Sequence, residues 1–327
     1  MWWVIIGFGI VFLIQLAVFL ILEFGFHRRS DNDRHLKYFT ADDFDDIDAE
    51  AISFLSGKNT LNGFIYSPKG QTPSRLLVFC MGIGAGHHAY MHVIGTMAQH
   101  GYRVLAFDYT GAELSGGRYI NGLPQALKDL KAAFDYIAKT ESIKDLPVDV
   151  LGHSWGGYVS AIAPLINPKV RRTVSISAFN SVPTILVAVR PYMKIFEPFI
   201  DFANLIKFGR YGVMDVVGSI KKSAVPMLFL TGSKDPFVKP AAHFDKYRYA
   251  AIEKPQIEFI LDSDKGHNPY LTQAGEAYFV KTIKEKKRYD KNPDSPESQA
   301  FYQSIDYELI TRNDKTIFEA IFHFLDK

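Results

Sequence analysis

The chain is 327 residues long, 47% hydrophobic and 22% charged, which excludes wholesale disorder and provides enough material for a large core. Its formal charge is only +2 and no cluster of Lys and Arg is interleaved with aromatics, so nothing marks a nucleic-acid partner. The single cysteine, Cys80, rules out an intrachain disulfide.

The first 22 residues, MWWVIIGFGIVFLIQLAVFLIL, carry no charge, and Gln15 is their only strongly polar side chain. A helix of this length spans about 33 Å, enough to cross the hydrocarbon core of a bilayer. A secretory signal would begin with basic residues and end on a small-residue cleavage site, and this run does neither. Its unbroken apolarity also argues against a buried core helix. A single-pass membrane anchor over 1–24 is therefore expected. Arg28, Arg29, Arg34 and Lys37 follow it, which places the N-terminus outside and the rest of the chain in the cytoplasm. Trp2, Trp3 and Phe26 would mark the two interfaces. The polar stretch 25–50 reads as a juxtamembrane linker, with one folded domain over 51–327.

Within that domain short apolar runs alternate with helical patterns. RLLVFCM (75–81), RVLAFD (103–108), VDVLG (148–152), RTVSIS (172–177), PMLFLTG (226–232) and QIEFILD (256–262) mostly lack polar alternation, as strands buried on both faces do. Helical spacing covers 90–101, which ends on Gly101, then 122–140 and 156–166. This alternation predicts an α/β fold with a mostly parallel central sheet flanked by helices. Residues 180–224, rich in apolar and aromatic side chains, read as two or three short helices that form either a cap or a plain cover of the sheet. Residues 270–314 form a polar insert before the last helix, bordering the site entrance or meeting a partner. Its central DKNPDSPES reads as a mobile loop, and its basic run KTIKEKKRYDK (281–291), broken by acids, as a solvated helix face.

VLGHSWGGYVS, residues 150–160, places Ser154 between an apolar strand and a helix, with Gly152 and Gly156 two residues to either side. A sharp strand-to-helix turn strains the central residue and exposes its hydroxyl, and side chains at the flanking glycines would collide as strand and helix approach. Five segments then occur in one order: LLVFCMGIGAG, LAFDYTGAELSGG, GHSWGG, LFLTGSKDPFV and DKGHNPY. In that order they resemble the α/β-hydrolase superfamily over about residues 60–270, plus the last helix TIFEAIFHFLDK.

The resemblance implies a serine hydrolase, with Ser154 as nucleophile, His267 as base and Asp235 as the acid that orients it. A serine hydroxyl needs a base within hydrogen-bond reach, and the base needs a carboxylate to fix its tautomer. Asp262 and Asp264, nearer to His267 in sequence, are rivals read as strand-end and turn residues. The backbone N–H groups of Trp155 and Ile83 are the implied oxyanion donors. Met81 stands where a histidine often precedes the glycine, and Glu113 where a glycine is frequent. Asp108 is read as holding its turn, and His153 as packing or supporting the site. His87 and His88 either touch substrate or are simply exposed on their loop, and Cys80 belongs to the core.

No cofactor is implied, and no histidine or cysteine spacing suggests zinc. The expected substrate is a small-molecule carboxylic ester or thioester, lipid-like if the cap is apolar beneath. A serine peptidase of the same fold and a non-catalytic binding protein remain the alternatives.

Overall fold

The computed structural model describes residues 2–327; Met1, where the expected span begins, lies outside the described residues. Helix α1 (Trp2–Gly25) comes first, then a hairpin of β1 (Ile47–Ser56) and β2 (Asn59–Pro68). The alternating units follow: β3 (Leu76–Cys80), α2 (Met91–Gln99), β4 (Arg103–Phe107), α3 (Gln125–Ile137), β5 (Val148–His153), α4 (Trp155–Ile166) and β6 (Val170–Ile176). Helices α5 (Val182–Val189), α6 (Glu197–Phe208) and α7 (Val216–Lys222) fill the insert before β7 (Met227–Gly232). The chain continues through α8 (Phe244–Ala250), β8 (Ile257–Asp262), α9 (Gln273–Tyr289), α10 (Pro296–Gln303), α11 (Tyr307–Ile310) and α12 (Lys315–Leu325).

One eight-stranded sheet runs in the order β1-β2-β4-β3-β5-β6-β7-β8. Every pair from β4 onward is parallel, whereas β1 with β2 and β2 with β4 are antiparallel. All residues of β3, β4, β5 and β7 are buried, so both faces of the central sheet are covered. Helices α3, α4, α7 and α8 form a contiguous row. Helices α2 and α12 meet where the His100 ring stacks on Phe322 at 3.6 Å. The six apolar runs of the sequence are the six strands β3 to β8, and the fold is that of an α/β hydrolase.

The stretch expected to be a linker is tied down. Ile47–Glu50 are already strand β1. Upstream, Ser30 is buried, and Asp33 pairs with Lys286 of α9. Lys286 is thus buried within a helix face expected to be solvated. The DKNPDSPES segment is a tight connection in which Asn292, Ser295 and Ser298 bond back to the end of α9 and the start of α10.

Candidate active site

Ser154 occupies the turn between β5 and α4 at φ 57° and ψ −113°, a conformation costly for any residue with a side chain. The turn is tight because three glycines permit it. A Cβ on Gly152 would lie 2.1 Å from the Gly156 carbonyl oxygen, and one on Gly156 would lie 1.8 Å from that of Cys80. A Cβ on Gly157 would lie 2.4 Å from the Ile176 oxygen. The Ser154 N–H donates to Ile176 O at 2.8 Å, which fixes the strained residue to β6.

His267 lies on the loop after β8 and Asp235 on the loop after β7, at the same sheet edge as Ser154. Ser154 Oγ is 2.9 Å from His267 Nε2, and His267 Nδ1 is 2.7 Å from Asp235 Oδ2. The other Asp235 oxygen accepts from the N–H groups of Phe237 and Val238 at 2.8 and 2.9 Å. With that carboxylate acceptor, Nδ1 carries the proton and Nε2 accepts from the serine hydroxyl. The rival carboxylates lie elsewhere: Asp262 accepts from the Asp264 N–H, and Asp264 pairs with the exposed Lys234.

Several groups hold the histidine in place that the sequence did not single out. Glu276, buried on α9, accepts from the N–H groups of Gly266 and Asn268 at 2.7 and 2.8 Å, one per oxygen. The His267 carbonyl accepts from Ser177 Oγ at 2.8 Å and from His153 Nε2 at 2.9 Å. His153 Nδ1 then accepts from the Tyr90 hydroxyl at 3.0 Å, which itself accepts from the Gly82 N–H at 3.2 Å. One continuous chain thus ties the glycine loop after β3 to the backbone of His267.

That loop is clamped from outside by the segment after α1. The Gly84 N–H donates to Ser30 Oγ, and the Gly86 N–H to Asn32 Oδ1, each at 2.8 Å. The Arg29 guanidinium bonds the carbonyls of Glu113 and Gly117 at 2.8 and 2.6 Å, and the Asn32 N–H donates to the Glu113 carboxylate at 2.5 Å. Glu113 stands at φ 34°, the geometry for which glycine is the usual choice, and its carboxylate is used by the clamp. Between the fixed Gly82 and Gly84 lies Ile83, half-exposed. Among the described residues neither its N–H nor that of Trp155 is engaged by another protein group.

One histidine of this loop departs from expectation, while His88 stays partly exposed. His87 is fully buried, with Nδ1 2.9 Å from Asp108 and Nε2 2.9 Å from the Tyr66 hydroxyl, because the loop folds inward over β2 and β4. Asp108 does hold its turn, accepting from Leu114 N–H, and it also accepts from His87 N–H. Burial, the largest single influence, raises the Asp108 carboxyl, but the bonds and charge of His87 together with the bond from the Leu114 N–H hold it below the usual value. Cys80 is buried and its thiol is pushed up to about 12 by desolvation, so it is inert as a nucleophile.

His153 and His243 are buried and kept neutral. Burial, aided by the charge of His267, pushes His153 down to about 3, and burial, aided by Lys246, pushes His243 down to about 4. The unfolded chain takes up a proton on each near pH 6.5, whereas the folded chain resists until about pH 3 to 4. Their contribution to stability is therefore complete above pH 6.5 and drains away below it, at about 1.4 kcal/mol per pH unit for each. Denaturant midpoints measured from pH 7.5 to 4.5 should begin to fall near pH 6.5. A flat profile down to pH 5 would contradict these shifts.

The sequence pattern of the serine aminopeptidase S33 family (Hydrolase_4) matches residues 71–205, a segment that contains Ser154 and stops short of Asp235 and His267. The protein WAV2 of Arabidopsis thaliana, an α/β-hydrolase domain-containing protein, is 27% identical over 169 residues, 50% of this chain and 54% of that one. Among solved structures, the esterase Pf2001 of Pyrococcus furiosus superposes with a TM-score of 0.60 at 20% identity, covering 80% of this chain and 98% of the esterase. The chain has the α/β-hydrolase fold, and its sequence is similar to proteins that carry it. An acylaminoacyl peptidase of Pyrococcus horikoshii shares the fold, with a TM-score of 0.54 at 14% identity over 69% of this chain and 39% of the peptidase. The chain spans about half the length of WAV2. No group of three or more His, Cys, Asp or Glu side chains placed to hold a metal ion occurs among the described residues.

Proposed function

We propose that the protein cleaves a carboxylic ester or thioester with an apolar acyl group, through an acyl-enzyme on Ser154. The observation that carries this reading is the unbroken line Ser154 Oγ, His267 Nε2, His267 Nδ1, Asp235 Oδ2, at 2.9 and 2.7 Å. His267 takes the hydroxyl proton as Ser154 attacks the carbonyl carbon. Asp235, held by two N–H groups, stabilises the imidazolium. The oxyanion accepts from the N–H of Trp155, at the positive end of α4, and from that of Ile83. His267 then protonates the leaving oxygen or sulfur, and it activates the water that releases the acid. Helix α1 is read as the membrane anchor, since Ile6–Gly25 is long and apolar enough to cross a bilayer, with the domain on the cytoplasmic side.

The test is a fluorophosphonate probe on the full chain in detergent. It should form one adduct, on the peptide carrying Ser154. A folded protein that takes no label would favour a non-catalytic binding protein. Acyl-chain length is then read from a panel of nitrophenyl esters, run beside aminoacyl anilides. Faster turnover of the anilides would transfer the reading to a serine peptidase, as the matched family's description suggests.

The clamp makes a separate expectation. Ser30→Ala frees the N–H of Gly84, next to Ile83, and Asn32→Ala that of Gly86, three residues from it in the same loop, so the donor is held less firmly where the oxyanion forms. Outright loss of an oxyanion donor costs about 100-fold or more in kcat, so loosening one should cost about tenfold, with KM and melting temperature little changed. Ser30→Thr, which keeps the acceptor oxygen, should recover most of the rate. Equal rates for the alanine variants and wild type would show that the clamp serves stability alone.

A further inference from the structure

Helices α1 and α6 lie side by side and run in the same direction. Gln15 Nε2 donates to the Phe199 carbonyl at 3.1 Å, Val18 is buried one turn later, and Glu23 forms an ion pair with Lys207. The last half of α1 is therefore flanked by α6, and the helix before Ile14 projects free of the cap. At 1.5 Å per residue that free part rises about 20 Å, whereas a hydrocarbon core is about 30 Å thick. If α1 crosses a bilayer, about 10 Å of the crossing is made by turns that α6 accompanies.

The outer face of α6 suits that position. Phe202, Leu205 and Ile206, spaced i, i+3 and i+4, are 51%, 44% and 62% exposed. Ile195, on the turn leading into α6, is also exposed. Such a stripe is costly in water and free of cost in lipid. Glu197 and Asp201 fall to the side of the stripe, Arg210 is exposed just beyond the end of α6 nearest the domain, where phosphate headgroups would meet it, and Arg190 and Lys194, at the deeper end, carry their charges on long flexible stems. Gln15, the strongly polar side chain within the apolar run, finds its acceptor on the cap itself, which satisfies a group that lipid cannot.

We propose that α6 enters the same leaflet as the end of α1, so that the cap is a lipid-contacting surface whose partner is the hydrocarbon of a bilayer. This rests on reading α1 as a span and is independent of the catalytic reading. The only cysteine is buried with an unreactive thiol, so single-cysteine labels can be placed at will. The full chain would be reconstituted in phosphatidylcholine vesicles containing phosphatidylglycerol. An environment-sensitive fluorophore would be attached in turn through Phe8→Cys in the span, Ile206→Cys on α6, and Lys139→Cys on the exposed surface beyond α3.

The labels at 8 and 206 should be quenched by spin-labelled lipid and should lose quenching by aqueous iodide, with the label at 139 behaving in reverse. If 206 behaves like 139 while 8 stays shielded, the span stands and the submerged cap is overturned. If 8 also behaves like 139, the reading of α1 fails and the inference fails with it.

Discussion

Ser154→Ala is expected to lower kcat for a nitrophenyl ester by about 10,000-fold or more, and His267→Ala by a similar factor. The double variant should be no slower than either single one. The two side chains act as one unit: without the base the hydroxyl is a poor nucleophile, and without the hydroxyl the base has nothing to activate. The residual rate would come from the N–H groups of Trp155 and Ile83 and from substrate binding, which neither substitution removes. Stability should separate the two variants. Ser154 Oγ bonds only His267, and alanine tolerates φ 57° no better than serine, so Ser154→Ala should melt close to wild type. His267→Ala removes the partner of a buried carboxylate and the ring against which Phe237 stands edge-on at 5.3 Å, so it should melt lower. Steady-state kinetics with thermal unfolding on the same preparations checks both points. A Ser154→Ala variant within tenfold of wild type would remove the proposed chemistry altogether.

How far the sequence reaches depends on the range of the interaction concerned. Strands β3 to β8 are uninterrupted apolar runs because both faces of the sheet are covered, and that pattern is local. The hairpin β1–β2 is hard to read from sequence, because most of the first half of β1 faces solvent and only Ile52, Phe54 and Ser56 alternate inward. The turn SGKN at 56–59, with Gly57 at φ 59°, was the available signal. Ser154, Asp235 and His267 each follow a recognisable strand in an order that this fold imposes. The groups that hold them are another matter. Nothing local to Ser30 or Asn32 announces that they bond the backbone of Gly84 and Gly86, 54 residues away in each case. Glu276 likewise sits in a helix whose polar sequence reads as surface, and only the fold turns its carboxylate back onto the His267 loop. His87 shows the same limit in reverse: a histidine in a glycine-rich loop reads as exposed until Asp108 and Tyr66 are found to enclose it.

Gly156→Ala should be among the most damaging single methyl groups in the molecule. Its Cβ would sit 1.8 Å from the Cys80 carbonyl oxygen, 2.4 Å from the carbonyl carbon and 2.8 Å from the Met81 oxygen. All three atoms are backbone, so no side chain can rotate away. Either α4 must lift from the sheet or the end of β3 must move, and β3 leads directly into the loop that carries Ile83. Core overpacking of this kind costs about 3 kcal/mol or more, a large share of the stability of an ordinary domain. Gly95→Ala is the matched comparison. Gly95 lies inside α2, and its added Cβ would meet only the Phe44 ring, at 3.6 Å, an ordinary contact. Alanine is the better helix former by about 1 kcal/mol, so that variant should be neutral or more stable. Urea midpoints of the two variants in one detergent would test the contrast. A Gly156→Ala protein as stable and as active as Gly95→Ala would mean that α4 and the end of β3 do not approach this closely. The strained geometry assigned to Ser154 would then lose its structural cause.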